Sequence, residues 1–480
     1  MMQEQRDKTA DLLLPLVLLA GAIAVSFLAS SGPIQWMDNG QFLADASQGR
    51  FFSESLGPLD HPLYQTVITL MFEAFGPRAL SLLNSILLLP LAWLVYRVAI
   101  DTGLTRRPAL IACGAAILAH GVFWVSTKAE VYLLHTVLVL AAYWVHFDPR
   151  QRGRPLRRMF LIGVFTGMAA AVHQLTFVVL LPLYLQMLMD KRSRVLITVP
   201  GFALGLFAAW PAILHDLHTG FSPFEIVHRY LTGDPERAKD VGWQGSLFRI
   251  DEMWHEKNAI MLLVLSLIGP QLVGLLLRPE NPRLRLLWWG GVLNLVFAAT
   301  YNVMDRFTFF LPGVVLLAIV GVAQLDALLP NNRVWRTANS LSVLSAPLVL
   351  LLMFGLYAQG VVKLPVHKES LPFRDDIHYF MAPYLQDRSA EQFVRSYEHS
   401  IPEGALIIAD WTPLGALRSA QASGSLGGRT IGQCEELQDF DVNAFLASSG
   451  VYLARTSYCA MVVDQFALTS LNVGFALRAR

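Results

Sequence analysis

Charge is what this sequence has least of. Asp, Glu, Lys and Arg make up 15% of its 480 residues, against about 25% in an ordinary soluble protein. The two signs nearly cancel: Lys+Arg 37 against Asp+Glu 36 leaves a net charge of +1. There is therefore no global basic field to attract nucleic acid and no acidic tail. Three cysteines exclude a disulfide framework and a multi-cysteine zinc or iron–sulfur centre. Apolar residues, at 54%, occupy the space that charge leaves. Several uncharged runs reach the roughly 18–20 residues that span a hydrocarbon core. The composition is that of a polytopic membrane protein in contact with the lipid bilayer, with no nucleic-acid partner.

The first apolar run, Leu12–Ser30, follows a short polar head. It is longer than the roughly 7–15 apolar residues of a signal peptide and lacks a small-residue cleavage site before IQWMDNGQ, so it reads as a retained first span. Further runs lie at Arg78–Ile100, Ala109–Val125, Val131–Phe147, Phe160–Val172, Leu175–Met189, Val195–Leu214, Ala259–Leu277, Leu286–Thr300, Phe309–Leu329 and Ser340–Gly360, giving eleven expected crossings. Phe160–Met189 is one apolar stretch whose helix would run about 45 Å, against a core near ~30 Å. Basic segments flank both of its ends, RQRGRPLRR before and DKRSR after. Clustered Lys/Arg marks the cytoplasmic side, so the chain must turn back near His173–Gln174. The same parity places the short basic links inside. The N-terminus is then cytoplasmic, and the first outer loop 31–62, the loop 215–257 and everything after Gly360 lie outside.

After Gly360 the composition becomes that of a soluble domain. RSAEQFVRSYEH (388–399) reads as an amphipathic helix, and ALIIADW (405–411), GRTIG (428–432), VYLAR (451–455) and AMVVD (460–464) read as short strands. The expected architecture is an all-α polytopic membrane domain over 1–360 with a small α/β or α+β domain over 361–480. Cys434 and Cys459 are either a disulfide in an oxidising compartment or two buried thiols.

Ionisable groups beside spans mark a functional site or a pairing partner, and here they gather on the outer face. The first loop carries WMDNGQFLADASQG, with Asp38 and Asp45, then LDHPLYQ, with Asp60, His61 and Tyr64. Later turns contribute Lys128, Glu130, Tyr132 and His135, then His173 and Gln174, then Tyr301, Asp305 and Arg306. Such a set suits a substrate half lipid and half polar: a carboxylate serves as general base toward a hydroxyl, and cations neutralise a departing phosphate. Lys128, Arg306 or Arg229 of the 215–257 loop would hold that phosphate. Plainer roles compete. Asp38 can cap a helix, Lys128 and Glu130 can pair, His173 can bond a carbonyl, and Asp305 with Arg306 can form an interface pair. His215 and His218 lack a third ligand in register for a metal, so no cofactor is indicated, although a divalent metal stays open.

In that order, DNGQF (38–42), HPLY (61–64), KAEVYLLH (128–135), GMAAAVHQ (167–174) and YNVMDRFTFFLP (301–312) resemble the motifs of the polytopic O-mannosyltransferase-like proteins of the GT-C glycosyltransferase superfamily. The resemblance covers about 310 residues. It implies an inverting transferase that moves a sugar from a polyprenyl-phosphate-linked donor to a hydroxyl acceptor on protein, lipid or glycan. The setting it implies is the periplasmic face of a bacterial inner membrane. It makes Asp38 the catalytic base and places Glu130, His173 and Asp305 in the site wall. Gln41 stands where these proteins usually carry a second acid, and the His-Pro segment is about two residues shorter. A transporter or flippase for a lipid-linked sugar is the alternative; it would carry polar groups near the bilayer midplane, repeated between halves, and neither pattern is present.

Overall fold

The computed structural model describes residues 2–53, 57–232, 248–250, 257–301, 306–330, 332–363, 371–381 and 387–480. Proline and glycine punctuate the chain as the backbone requires. Helices Pro62–Phe75, Pro155–Ala170 and Pro282–Thr300 each open on a proline, whose missing N–H is not needed in a first turn. Helix Arg78–Thr102 stops at Gly103, where φ is 113°, a left-handed position that glycine accepts without strain.

Every run read as a crossing is helical. Among the described residues, three helices are long and apolar enough to cross a membrane, Leu82–Thr102, Arg306–Leu328 and Arg333–Ala358. Three bent pairs reach that length together, and Leu12–Leu28, Tyr132–Phe147 and Thr176–Asp190 are shorter apolar helices. Leu348, Leu351 and Leu352 stand 60%, 67% and 62% exposed on the last long helix, a surface that suits contact with lipid.

The bent pairs correct three of the expected continuous spans. Ala109–Val125 breaks by 67° between Arg106–Leu118 and His120–Ser126. There Ser266 Oγ accepts the Gly121 N–H at 2.9 Å, inserting a side chain into the helix ladder. Val195–Leu214 divides, with an 82° bend between Thr198–Ala208 and Trp210–His218, where Pro211 opens the second helix. Ala259–Leu277 turns by 98° at Gly269–Pro270, since proline cannot donate the hydrogen bond a continuing helix needs.

Close helix crossings depend on small residues. Gly163 and Gly167 of Pro155–Ala170 face Gly201 and Gly205 of Thr198–Gly205. A Cβ at any of the four would strike backbone of the opposite helix, so the helices approach at main-chain distance. The turn at His173–Gln174 lies between Pro155–Ala170 and Thr176–Val195, where the basic flanks place it.

The C-terminal part is a five-stranded sheet of β1 (Leu406–Ala409), β2 (Thr430–Gln433), β3 (Val451–Leu453), β4 (Ala467–Ser470) and β5 (Phe475–Arg478), in the order β2-β1-β3-β5-β4. β1 pairs in parallel with β2 and β3, and β5 runs antiparallel to β3 and β4. The first three strands fall where alternation and β-branching put them. AMVVD is not a strand but the helix Ala460–Gln465. It buries only Val462, and the edge of β3 it would have taken goes to the β4–β5 hairpin, which the sequence reading missed. The expected helix forms at Ser389–Ser400. Cys434 and Cys459 are joined as a disulfide, with Cα atoms 5.6 Å apart.

Candidate active site

The first loop, 31–62, is not extended chain throughout. Met37 takes φ 57°, and the chain then enters helix Asp38–Ser47. Asp38 is its first residue, where the helix dipole favours an acid, and Met37 before it is the N-cap, with no capping bond from a side chain. Its half-buried carboxylate accepts a hydrogen bond from Trp411 Nε1 of the C-terminal domain. Burial pushes the Asp38 carboxyl above its ordinary value, while the indole N–H and its own backbone pull it down.

The same helix supplies the neighbours. Gln41 Nε2 donates to Asp45 Oδ2 at 3.0 Å, and Gln41 Oε1 accepts from Arg418 Nη1 at 3.1 Å. The residue at the second-acid position thus ties the loop to the C-terminal domain. Asp45 is buried and pairs with Arg50 at 3.3 Å. Asp60 lies near enough to feel both acids. Burial first, then the charges of Asp45 and Asp38, push its carboxyl up to about 7, against a hydrogen bond from Ser53. Near neutral pH it is poised between its two forms, as acid–base groups are.

Behind the carboxylates stands a wall of rings. His61, in a left-handed conformation before helix Pro62–Phe75, sets Nδ1 2.6 Å from the Val172 carbonyl oxygen. Its ring stacks on His173 at 5.3 Å. His173 Nδ1 accepts the Leu175 N–H at 3.1 Å, and its ring also meets Tyr132 at 5.3 Å and Phe309 at 5.1 Å. Tyr64 is fully buried against Phe42 and donates to Asn84 Oδ1 at 3.2 Å. Asn84 Nδ2 in turn donates to the Glu130 carbonyl at 2.7 Å. With its amide nitrogen turned toward acceptors, Asn39 donates to Glu130 Oε1 at 2.8 Å. Tyr301 packs on Phe309 at 5.2 Å, and Arg306 is buried with Nη1 toward the Ala299 carbonyl. Asp305 lies outside the described residues.

The expected cations are placed differently from one another. Lys128 is enclosed, its Nζ 4.8 Å from the Trp124 ring centre and 4.7 Å from that of Tyr379. Burial lowers its ammonium to about 8, with Asp387 and Glu130 opposing. Arg229, on helix Pro223–Thr232, binds Asp216 at 3.0 Å and lies 4.1 Å over Phe221. Ile226, Val227, Tyr230 and Leu231 of the same helix line an apolar cavity of about 550 Å³. Pro58, two residues before Asp60, closes one side of it. Among the described residues no three His, Cys, Asp or Glu side chains are grouped to hold a metal ion.

His61, Tyr64, Glu130 and His173 fall into one contact network through Phe42 and Asn84, with Tyr301 joined through Phe309, while Asp38 reaches Asp60 through its charge. Trp411, Arg418 and Asn39 were not anticipated. Asn39 is the second residue of the quoted motif DNGQF and could have been weighed, whereas Trp411 and Arg418 carry no local signal.

No family model matches the chain, and no curated protein matches its sequence. Solved structures do. ArnT from Cupriavidus metallidurans in the apo state aligns over 96% of this chain and 97% of that one, with a TM-score of 0.61 and 12% identity. The crystal structure of the same protein bound to undecaprenyl phosphate aligns over the same shares, with a TM-score of 0.56 and 12% identity. At that identity the likeness is one of fold. Its near-complete reach in both directions covers the helical part and the C-terminal domain alike, and this chain shares the fold of the two ArnT structures.

Proposed function

We propose that this protein is a membrane glycosyltransferase, transferring a sugar from a polyprenyl-phosphate-linked donor to a hydroxyl acceptor at the periplasmic face of a bacterial inner membrane. Asp38 removes the proton from the acceptor hydroxyl as its oxygen attacks the anomeric carbon. The bond from that carbon to the phosphate oxygen breaks, polyprenyl phosphate leaves, and the configuration inverts. Asp60, held near neutrality, is placed to receive or return a proton. His61, Tyr64, Glu130, His173, Tyr301, Asp305 and Arg306 are assigned to the wall that holds the donor. Arg229 is the first choice for the phosphate, because its helix lines the apolar cavity where an isoprenyl chain would lie. Lys128, enclosed by two rings, is assigned to keeping the wall in place. The step as written uses no cofactor.

The single observation that carries this reading is that the loop bearing Asp38, Asp45 and Asp60 also supplies Pro58 to the lining of an apolar cavity of about 550 Å³. A lipid-linked polar substrate needs both. ArnT, with which the fold is shared, has been crystallised with undecaprenyl phosphate.

The test is release of polyprenyl phosphate from polyprenyl-phosphate-linked hexose and pentose donors, followed by phosphorus NMR on protein reconstituted in vesicles with envelope extract as acceptor. Release that depends on Asp38 supports the reading. Movement of the donor across the bilayer without release would show a flippase instead.

A further inference from the structure

The C-terminal domain does not merely lie near the first loop; it is clamped to the helix that carries Asp38. Helix Trp411–Ala422 and helix Asp38–Ser47 meet at two glycines, where a Cβ on Gly40 would strike the Gly415 carbonyl and one on Gly415 the Met37 backbone. Met37 N–H donates to the Thr412 carbonyl at 3.1 Å, and Arg418 reaches Gln41. At the end of this clamp nearest the carboxylates, Trp411 points its indole N–H at Asp38. The tryptophan stands on a rigid base. Asp410 accepts the Thr412 N–H at 3.2 Å and is gripped by Arg455 through Nε at 2.7 Å and Nη2 at 2.5 Å.

We propose that Trp411 is a positioning residue for the Asp38 carboxylate, so that the active site is assembled from both parts of the chain and is incomplete without the C-terminal domain. The inference rests on the reading of Asp38 as the base. A carboxylate at the start of a surface helix rotates freely about its side-chain bonds; a donor fixed from a second domain holds one oxygen and leaves the other directed at the acceptor. An N–H bonded to a carboxylate also favours its ionised form. The charged neighbours of Asp38 on its own loop are Asp60 and Asp45, and on the docked helix Arg418 is held by Gln41 and Glu436.

The test is Trp411→Phe in the full-length protein, which removes the N–H and keeps an aromatic ring. The expected result is a loss in kcat of about tenfold, with donor KM and thermal midpoint unchanged and the acid limb of the pH–rate profile moved to higher pH. An unchanged kcat and acid limb would overturn the proposal. So would a loss of kcat accompanied by a lower thermal midpoint and an unmoved acid limb, since that describes a structural role alone. A second readout does not depend on turnover: the difference in tryptophan emission between wild type and Trp411→Phe should titrate with pH and stop titrating when Asp38→Asn is added. If that difference titrates identically with Asp38 replaced, Trp411 does not sense Asp38, whatever the protein transfers.

Discussion

Asp38 and Asp60 share one loop, and burial raises both carboxyls, but their neighbours differ. Asp38 has a fixed indole donor and a helix start to favour its charge, while Asp60 has two acidic neighbours and is held near 7. Replacement of Asp38 by Asn should lower sugar transfer at least ~100-fold and leave membrane insertion and yield unchanged, measured as product formed per purified protein. For Asp60 the sign follows from linkage. Its folded pKa lies above the ordinary 3.8, so its contribution to stability is complete at low pH and is lost as pH rises through about 7. The thermal midpoint should therefore fall between pH 5 and pH 8, and Asp60→Asn should flatten that slope; an unchanged slope would remove Asp60 as its source. At this scale Asp38, His61, Glu130 and His173 were legible because each sits in a short motif at a span boundary, where ionisable groups are costly. Trp411 was not legible, because its partner is 373 positions away in the chain and nothing local distinguishes it from a helix-start tryptophan.

Among elements, glycine is the residue that decides geometry. The Gly163–Gly167 and Gly201–Gly205 pairs, each with the small-residue spacing of close helix contacts, were present in the sequence and set the crossing between Pro155–Ala170 and Thr198–Gly205. Gly415 has the same part between the domain and the first loop. Gly415→Val should destabilise the clamp by about 1–3 kcal/mol and reduce transfer with it, since Asp38 and Trp411 would separate; denaturant unfolding and turnover on one preparation check both. The breaks at Pro211 and Gly269–Pro270 have a local cause in proline chemistry that the reading of continuous spans passed over, whereas the one after Leu118 involves a bond from Gly121 to Ser266, 145 residues away. AMVVD was misread because a short apolar run has no length to separate helix from strand. The Cys434–Cys459 disulfide closes a 25-residue separation, and its reduction should lower the domain's stability by about 2–4 kcal/mol, seen as a thermal midpoint that drops in reductant but not in the Cys434→Ser/Cys459→Ser protein.

For the whole molecule, the low charge content acquires a spatial meaning. Basic residues collect in short links, the carboxylates of the first loop collect where the C-terminal domain docks, and leucines such as Leu348 and Leu351 stand exposed on the last long helix. Polytopic helical character and a small mixed domain were legible from hydropathy and from the change in composition after Gly360. The docking of that domain onto the first loop was not, because it is made by glycines, one indole and one guanidinium that no periodicity reveals. The parity of the basic links predicts that a reporter fused after Arg480 is active only outside the cytoplasm. The central claim, that the carboxylates of the first loop direct sugar transfer from a lipid-linked donor, is tested most directly by mass spectrometry of cell-envelope glycans, glycolipids and glycoproteins from cells with the wild-type protein, without it, and with Asp38→Asn. The account predicts one sugar-sized mass increment present only with the wild type; identical profiles in all three cells would contradict it.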